Sequence, residues 1–353
     1  MKGHVLLVNE FFSDNVGDQA ISMGFERLIS DLGFSVSRHG YSSGRSNMPT
    51  VVGDAARSKS SAISIFLKKY LSSVTLLRSF IWGAQNIVRL VKVASRNADF
   101  AVVGGGQLIM AKSNFAIAML CWVLLLKFFG KKVYLLSVGV GENVDGLERW
   151  MYRVALSKAD EVYVRDHAGR WKLSNIISRK INFLPDAAYY IQSSAGGSRC
   201  GVGVFITDYS VSLRYSSEVG VKDSCREEYW ARWSSVVQEM VNEGRSLYFL
   251  WTTEADRDET QLFLKHYPQF ADMYAGEALP LDDLLQLLGR LEFVIAGRMH
   301  ALILAHVQGC MLRPWIISRK IEIFSHEYLA SSPADLRQLL FTTVGALLEA
   351  RNV

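Results

Sequence analysis

The chain has 353 residues, of which 50% are hydrophobic and 21% are charged, and its formal net charge is +5. This composition is typical of a soluble protein that is long enough for two domains. The mild positive charge suits anionic substrates or an anionic membrane surface, and the absence of a basic-aromatic RNA-binding motif argues against nucleic acid as a partner.

The four cysteines are scattered, and none is paired at metal-ligand spacing. We therefore expect reduced thiols in a cytoplasmic protein. The chain enters a strand directly, which predicts no secretory signal. The most apolar run, residues 115–126, is shorter than the roughly 20 residues that a membrane-spanning helix needs, so we predict a buried helix there.

The chain begins with a βα unit whose connecting loop is polar. Its strand, loop and helix are predicted at residues 4–8, 10–18 and 19–32. The loop carries Asn15, Gly17 and Asp18, and Gly17 would let the backbone come close to a ligand. Asp18 fits two roles, which are compatible: a cap for the helix and a functional carboxylate.

Residues 55–98 contain no Asp or Glu but eight basic side chains. These are Arg57, Lys59, Lys68, Lys69, Arg78, Arg89, Lys92 and Arg96. Apolar residues interleave with them, which is typical of one or two amphipathic helices with a basic face. Such a face can lie on an anionic bilayer. The alternative is a solvated helical face whose other side packs in the core.

Three further strands of the first half end in residues suited to ligand binding. The strand at 100–103 ends in three glycines, Gly104 to Gly106, which indicates a close approach of the backbone to another group. This turn is neither a GxGxxG fingerprint nor a P-loop. The strand at 132–138 ends in Gly139, and the one at 161–164 ends in Arg165, a cation placed for a ligand or for an ion pair with Asp166 or another nearby carboxylate.

The second half repeats the strand–helix alternation after a small-residue linker at 193–198. At least five strands alternate with helices in the first half alone, so both halves are predicted to contain parallel, doubly wound sheets. The segment 293–309 then places Arg298 and His300 where a strand passes into a helix. A helix N-terminus with an arginine beside it suits a phosphate or carboxylate. The alternative is a capping arginine and a core-packed histidine.

Taken together, these motifs resemble the polysaccharide pyruvyl transferase family along nearly the whole chain. The matching stretches are Asn15-Val16-Gly17-Asp18-Gln19-Ala20, Gly104-Gly105-Gly106-Gln107, Val138-Gly139-Val140-Gly141, Val164-Arg165-Asp166, Pro185-Asp186, Arg298-Met299-His300-Ala301 and Ser318-Arg319-Lys320-Ile321. The Arg-Met-His-Ala stretch is the most specific. The last stretch departs from the family's Tyr-Asp-x-Lys pattern, because Ser318-Arg319 replaces the Tyr-Asp pair.

The resemblance implies an α/β fold with two Rossmann-like domains facing across a cleft, as in glycosyltransferases of the GT-B kind. We expect an N-terminal domain at residues 1–192 on the acceptor side and a C-terminal domain at 199–330 on the donor side. The terminal helix, within 331–353, is expected to return to the first domain.

The resemblance also implies a reaction. Family members move the pyruvyl group of phosphoenolpyruvate onto two hydroxyls of a sugar, forming a cyclic ketal and releasing phosphate. Phosphoenolpyruvate is then a co-substrate, and no metal or other cofactor is expected. His300 is the implied acid and Asp18 the implied base or orienting group, acting from the opposite domain, with Glu10 and Asp14 as lesser alternatives to Asp18.

The remaining site residues divide into two implied groups. The residues expected to bind phosphoenolpyruvate are Arg165, Arg298, Met299 and Lys320. The residues expected to contact the acceptor are Asn15, Gly17, Gly105 and Gly106. The acceptor is expected to be a polysaccharide sugar or a lipid-linked saccharide, with residues 55–98 as a docking surface at the inner face of the membrane.

Two other functions fit the same fold. One is a nucleotide-sugar glycosyltransferase, in which Thr252, Thr253 and Glu254 could contribute to a diphosphate clamp. The other is a non-catalytic sugar-binding protein. The intact motif residues argue against it: Asp18, Arg298, His300 and Lys320. Fold alone does not decide the acceptor.

Overall fold

The fold was analysed in a computed structural model, which describes residues 2–43, 75–141, 144, 146–192, 197–220, 223–271, 274–275 and 280–350. Of the predicted segments, residues 55–74 of the basic stretch and 193–196 of the linker lie outside the described residues. The chain divides into two compact units. The N-terminal unit comprises Met1–Ser13, Phe25–Ala187 and Leu339–Val353, and the C-terminal unit comprises Asp14–Gly24 and Ala188–Gln338. The domain boundaries expected at 192, 199 and 330 stay predictions.

The elements alternate between strand and helix along most of the described chain. The strands are β1 His4–Asn9, β2 Ser35–Gly40, β3 Phe100–Gly104, β4 Lys132–Val138, β5 Glu161–Val164, β6 Asn182–Phe183, β7 Val202–Phe205, β8 Leu247–Phe249, β9 Tyr274–Ala275, β10 Phe293–Ala296 and β11 Met311–Pro314. The α-helices are α1 Val16–Asp31, α2 Thr75–Ala94, α3 Phe115–Phe128, α4 Gly146–Lys158, α5 His167–Ser174, α6 Tyr209–Val219, α7 Arg226–Asn242, α8 Glu254–His266, α9 Leu281–Leu288, α10 Met299–Val307, α11 Arg319–Glu327 and α12 Pro333–Glu349. Short 3₁₀ helices lie at Ala187–Tyr190 and Pro268–Phe270.

Each unit is built on one parallel sheet. The N-terminal sheet has six strands in the order β2-β1-β3-β4-β5-β6, and the C-terminal sheet has five in the order β11-β10-β7-β8-β9. Every pair of neighbouring strands is parallel. Parallel strands covered by helices on both faces need continuous apolar runs, and Val5, Leu6, Leu7 and Val8 of β1 are all fully buried.

The strand orders locate the point at which each sheet binds ligands. In the first sheet the chain moves outward from β1 to β2 and then returns to the other side of β1 with β3. In the second, it moves from β7 to β8 and β9 and returns beside β7 with β10. Ligands of doubly wound sheets bind beyond the carboxyl ends of the strands at this switch point. The two candidate regions are therefore the ends of β1 and β3, and the ends of β7 and β10.

The predicted buried helix at 115–126 is confirmed as α3. Seven of its fourteen residues are buried, among them Trp122, whose indole N–H donates to the carbonyl oxygen of Tyr41 at 2.9 Å. The side chains of Met119, Trp122, Val123 and Leu126 pack in the core of the N-terminal unit, whereas Leu124 and Phe128 of α3 are exposed. Across the residues that the structure describes, no helix combines the length and the hydropathy needed to cross a bilayer.

The end of the terminal helix α12 packs within the N-terminal unit. The hydroxyl of Tyr134 on β4 donates to the carbonyl oxygen of Leu347 at 3.1 Å, and Lys2 pairs with Glu349 at 2.6 Å. A Cβ on Gly345 would lie 3.0 Å from the side chain of Leu32. Residues 339–350 therefore complete the N-terminal unit although they are the last described part of the chain.

Helix α2 corrects the expectation of a basic helical face. Its solvent-facing side is mostly apolar, with Phe80 74% and Val88 78% exposed, and of the basic residues of this helix only Lys92 is exposed there. Two of its basic side chains point into the protein instead: Arg78 pairs with Glu148, and Arg89 donates to main-chain carbonyl oxygens of the loop after β2. Charge alone did not reveal this orientation, because a basic side chain faces inward wherever buried acceptors are available to it.

His39 on β2 predicts how stability depends on pH. Burial, and then the positive charges of Arg96, His4 and Arg89, lowers the pKa of His39 to about 4. The unfolded chain, with an ordinary histidine pKa of about 6.5, binds the proton more readily, so stability is present above that pH and is lost as the pH falls toward 4. Between pH 7.5 and pH 5 we expect wild type to lose up to about 2 kcal/mol more unfolding free energy than His39→Gln.

Urea unfolding of both proteins at the two pH values measures this difference. Carboxylates that titrate in the same range affect wild type and variant alike, so they cancel in the comparison. Equal losses in the two proteins would remove His39 as the source of the pH dependence.

Candidate active site

The glycine turn after β3 lies at the switch point of the first sheet. A Cβ on Gly104 would lie 2.0 Å from the carbonyl oxygen of Leu136, so only glycine allows β3 and β4 to approach here. Gly105 and Gly106 both have a φ of 75°, which favours glycine. The N–H of Gly139 donates to the carbonyl oxygen of Gly106 at 2.8 Å. The close approach of β3 to β4 and this hydrogen bond fix the backbone of the turn. Its contact with an acceptor stays a prediction.

Asn9, the last residue of β1, lies at the same switch point and was missed in the sequence. It is 1% exposed, and neither atom of its side-chain amide has a hydrogen-bond partner within the described part of the chain. A buried polar group left without a partner costs about 1–3 kcal/mol, so such a group calls for a ligand or an ordered water. The available signal was a polar residue that ends an otherwise apolar strand, VLLVN.

Arg165 forms the ion pair that the sequence left open, but its partner is Asp186. Their side chains are 2% and 0% exposed, and Nη1 of Arg165 lies 2.9 Å from Oδ2 of Asp186. A Cβ on Gly139 would lie 2.7 Å from the guanidinium, so the glycine makes room for it. Asp166 instead caps α5, where its carboxylate accepts from the N–H of Gly169. Arg165 is therefore part of the interior of this unit, and its binding of phosphoenolpyruvate stays a prediction.

In the C-terminal unit, Arg298 follows β10 at the switch point of the second sheet. It occupies the N-cap position of α10, but its side chain makes no capping hydrogen bond. Nε lies 3.0 and 3.1 Å from the two carboxylate oxygens of Asp256, and Nη2 lies 2.6 Å from one of them. None of these bonds uses Nη1. The hydrogen bonds to Asp256 hold the guanidinium in place. The side chain of Arg298 is 26% exposed, so the edge that carries Nη1 can accept an anion as a ligand.

Asp256, which holds Arg298, was not predicted from the sequence. It is 1% exposed and lies in the first turn of α8. Its carboxylate also accepts from the backbone N–H of Asp208 at 2.9 Å and from the hydroxyl of Thr252 at 3.3 Å. It thereby links the residues that follow β7, β8 and β10. The only signal in the sequence was an acidic residue in a helical first turn, which ordinarily indicates a helix-dipole contact.

The loop that carries Asn15, Gly17 and Asp18 groups with the C-terminal unit, whereas the sequence places it in the first domain. The N–H of Val16 donates to the carbonyl oxygen of Thr252 at 3.0 Å. The helix begins at Val16, three residues before the predicted start, because the side chain of Asn15 accepts from the N–H of Gly17 at 2.9 Å. Asn15 therefore caps α1, and Asp18 lies in its first turn.

Gly17 packs directly against the imidazole ring of His300. A Cβ on Gly17 would lie 2.1 Å from Nδ1 and 2.3 Å from Cγ of that ring, much closer than any side-chain atom can approach. His300 is the second residue of α10 and is partly exposed. The first turn of α1, with Asp18, and the first turn of α10 therefore meet around this histidine. This contact, between residues almost 300 positions apart, could not be inferred from either motif alone.

Lys320 lies at the same edge of the second sheet as Arg298. It is exposed and lies in the first turn of α11, which follows β11, the neighbour of β10. Ser318, which replaces the family's Tyr, occupies the N-cap position of α11 and makes no side-chain capping bond. The N–H of Arg319 donates to the carboxylate of Glu218 at 3.3 Å. The two helices that start at this edge thus both have basic residues at their starts and lack a cap from the side chain of their own N-cap residue, although Glu218 accepts from one N–H of α11.

Thr207, just after β7, is a second residue that the sequence did not reveal. It is fully buried, and its hydroxyl has no hydrogen-bond partner among the described residues. A Cβ on Gly297 would lie 2.8 Å from that hydroxyl oxygen, so Gly297 brings the start of the Arg-Met-His-Ala stretch close to it. Met299 is 8% exposed, so it can contribute to a ligand site only through its backbone.

The predicted site residues therefore fall into two groups. The C-terminal unit brings together Asn15, Gly17, Asp18, Arg298, Met299, His300 and Lys320, whereas the N-terminal unit holds Gly105, Gly106 and Arg165. Among the described residues, no group of three or more His, Cys, Asp or Glu side chains is placed to hold a metal ion. The first group combines two basic side chains, a histidine and a carboxylate, which are residue types suited to acid–base chemistry on an anionic substrate.

Comparison with known proteins agrees with this reading of the motifs. The family model described as polysaccharide pyruvyl transferase matches residues 15–310. A search of functionally curated proteins returned no significant match.

Solved structures reveal the fold. UDP-GlcNAc 2-epimerase from Methanocaldococcus jannaschii is similar with a TM-score of 0.55 and 8% identity, covering 98% of both chains. The structure of the same enzyme in complex with UDP-GlcNAc and UDP has a TM-score of 0.51, 8% identity and the same coverage of both chains. These similarities confirm the predicted fold class, an α/β protein with two Rossmann-like units of the GT-B-like kind. At such low identity they carry no information about the reaction.

Proposed function

The chain belongs to the polysaccharide pyruvyl transferase family, and on this premise we propose that it transfers the pyruvyl group of phosphoenolpyruvate to two hydroxyls of a sugar. Two C–O bonds form at C2 of phosphoenolpyruvate while the C2–O bond to the phosphate breaks. One sugar proton ends on the methylene carbon, which becomes a methyl group, and the other leaves with the phosphate. The product is a cyclic ketal.

The observation that carries this proposal is the contact between Gly17 and the ring of His300. It unites the Asn-x-Gly-Asp loop and the Arg-Met-His-Ala helix in one unit, so Asp18 and His300 lie on two helix starts that touch. In the proposal, His300 protonates the methylene carbon and Asp18 accepts or orients the proton of a sugar hydroxyl. Because the two helix starts adjoin, His300 can protonate the donor while Asp18 takes the proton of the sugar hydroxyl that attacks it.

Donor binding is assigned to the edge formed by α10 and α11. Arg298, aligned by Asp256, would bind the phosphate or carboxylate through its remaining edge, and Lys320 would bind the other anionic group. The backbone N–H groups at the start of α10, including that of Met299, add the positive end of the helix dipole. Positive charge at this edge would also stabilise the departing phosphate.

The acceptor is proposed to be a polysaccharide sugar or a lipid-linked saccharide. Asn15, Gly17, Gly105 and Gly106 are the residues proposed to contact it. The buried, unsatisfied amide of Asn9 beside the glycine turn supports a hydroxyl-bearing ligand there, since an amide can both donate and accept. We also propose that the protein works at the cytoplasmic face of an anionic membrane, which the acid-free stretch 55–98 and the net charge of +5 support.

Incubation of the purified chain with phosphoenolpyruvate and a panel of lipid-linked and pyrophosphoryl sugars tests the reaction, with detection of phosphate and of the product mass. For His300→Gln we expect kcat to fall about 100-fold or more with donor binding largely retained, because a general acid contributes that much. For Arg298→Ala we expect weaker binding of phosphoenolpyruvate.

His326→Gln is the matched control, since His326 is an exposed histidine in the same unit and should leave the rate unchanged. Retention of full activity in His300→Gln would contradict the assigned role. Stabilisation of the protein by UDP or GDP, with none by phosphoenolpyruvate, would overturn the pyruvyl proposal in favour of a nucleotide-sugar glycosyltransferase.

A further inference from the structure

The exposed half of α2 is mostly apolar, with Gln85 and Lys92 as exposed polar residues among the apolar ones. Its large exposed apolar side chains are Leu76, Phe80, Ile81, Ile87, Val88 and Val91. The three most exposed are Val88 at 78%, Phe80 at 74% and Leu76 at 67%. Spacings of three and four residues place these side chains on one side of the helix, which is about 30 Å long. We name this surface the α2 apolar face.

Helix α2 carries apolar side chains on its outward side as well as on its inward side, which is unusual for a surface helix. Its buried residues are the apolar Trp82, Leu90, Val93 and Ala94 together with Ser79. The charged side chains of Arg78 and Arg89 make contacts within the unit. A surface helix normally turns its apolar stripe to the core and its charges to water. Contiguous exposed apolar surface of this kind marks an interaction site.

The composition of the face discriminates between partners. Protein–protein hot spots are enriched in Trp and Tyr among apolar residues, and neither is among the exposed apolar residues of α2. Lys92 and Arg96 are exposed at the C-terminal end of the helix, and residues 55–98 contain no acidic side chain. A row of Leu, Ile, Val and Phe bordered by Lys and Arg suits an anionic lipid surface.

We propose that α2 lies in the interface of an anionic bilayer, with the α2 apolar face immersed among the lipids and Lys92 and Arg96 at the level of the headgroups. This deepens the membrane part of the proposed function, because it assigns docking to apolar insertion rather than to a basic face. An in-plane helix buries its apolar side about 5–10 Å deep at the boundary of headgroups and acyl chains.

Flotation of the full chain with phosphatidylcholine vesicles, with and without phosphatidylglycerol, tests the proposal. For Phe80→Gln with Val88→Gln we expect vesicle affinity to fall about ten-fold or more on both kinds of vesicle, because two exposed apolar side chains no longer enter the lipid. For Lys92→Gln with Arg96→Gln we expect the preference for phosphatidylglycerol to fall while binding to neutral vesicles is retained.

The matched control is Trp171→Gln with Leu213→Gln, which removes two exposed apolar side chains, 70% and 53% exposed, from other helices. It should float like wild type. Thermal unfolding reports whether each variant is folded, and the Lys92/Arg96 variant tests the face if the Phe80/Val88 variant is not. No phosphoenolpyruvate is present, so the result is independent of the reaction.

Three results would overturn the proposal. One is a wild-type chain that does not float. Another is a folded Phe80/Val88 variant that floats like wild type. The third is a wild-type dimer in solution that becomes monomeric in the Phe80/Val88 variant without any vesicle binding, which would make the face an interface between copies of this chain.

Discussion

Gly17→Ala is expected to lower kcat/KM for pyruvyl transfer about 100-fold, because displacement of a catalytic group by about 1 Å has that effect. The added methyl group would lie 2.1 Å from Nδ1 of His300, so the ring or the start of α1 must move. Alanine is the better helix former by about 1 kcal/mol, so the substitution does not by itself unfold α1. Phosphate release with a pyruvylatable sugar, at several donor concentrations, measures the loss.

Gly83→Ala provides the matched control for this prediction. Gly83 also lies within a helix, but nothing lies within 4 Å of the position that its Cβ would take. We expect this variant to keep full activity and to be as stable as wild type or slightly more so. If Gly17→Ala were as active as Gly83→Ala, the loop and His300 would not form one catalytic unit.

Asp186→Ala is expected to lower the free energy of unfolding by about 3–5 kcal/mol, since it leaves the buried guanidinium of Arg165 without its carboxylate. Both side chains are almost completely buried, so water cannot replace the lost partner. Urea unfolding of the full chain measures the change. Glu239→Ala is the control, because Glu239 pairs with Arg313 at the surface with side chains 50% and 41% exposed, and such pairs contribute less than about 1 kcal/mol.

The double variant Arg165→Met with Asp186→Asn separates a structural role of Arg165 from donor binding. It removes both charges with little change of volume, so we expect it to be more stable than Asp186→Ala. If the folded double variant still transfers the pyruvyl group at the wild-type rate, Arg165 does not bind phosphoenolpyruvate. If it is stable but no longer binds the donor, the predicted role of Arg165 is correct. An Asp186→Ala protein as stable as Glu239→Ala would show that the buried pair does not stabilise this unit.

Local signals identified the strand ends correctly because they depend on neighbouring residues only. An apolar run followed by glycine or a charged residue marks the carboxyl end of a buried strand. The strands β4 and β5 end at the predicted residues, and β3 ends one residue later, at Gly104. The helix after the first loop was predicted to begin at residue 19 but begins at Val16, because the choice of Asn15 over Asp18 as the cap depends on the detailed path of the loop.

Other features of the site could not be predicted because they join distant parts of the chain. Asp256 appeared to be an ordinary acidic residue of a helical first turn until the fold placed it against Arg298. Asn9 and Thr207 appeared to be polar strand ends until burial left their side chains without partners in the described structure. Which side of α2 faces the protein also depended on the fold. Its inward-pointing Arg89 and Arg78 bind acceptors in the loop after β2 and on α4.

The amino-acid sequence by itself determined the α/β class, the family motifs and the residues that carry the chemistry, since each of these depends on side-chain type and short-range spacing. The tertiary structure decided which strands are neighbours, and therefore that the Arg-Met-His-Ala stretch lies at the switch point of the second sheet. It also decided that Gly17 meets His300, that Arg165 is paired in the interior and that α2 exposes large apolar side chains. The physical reason is that burial, ion pairing and exposure are properties of contacts between distant segments, and only the folded chain specifies those contacts.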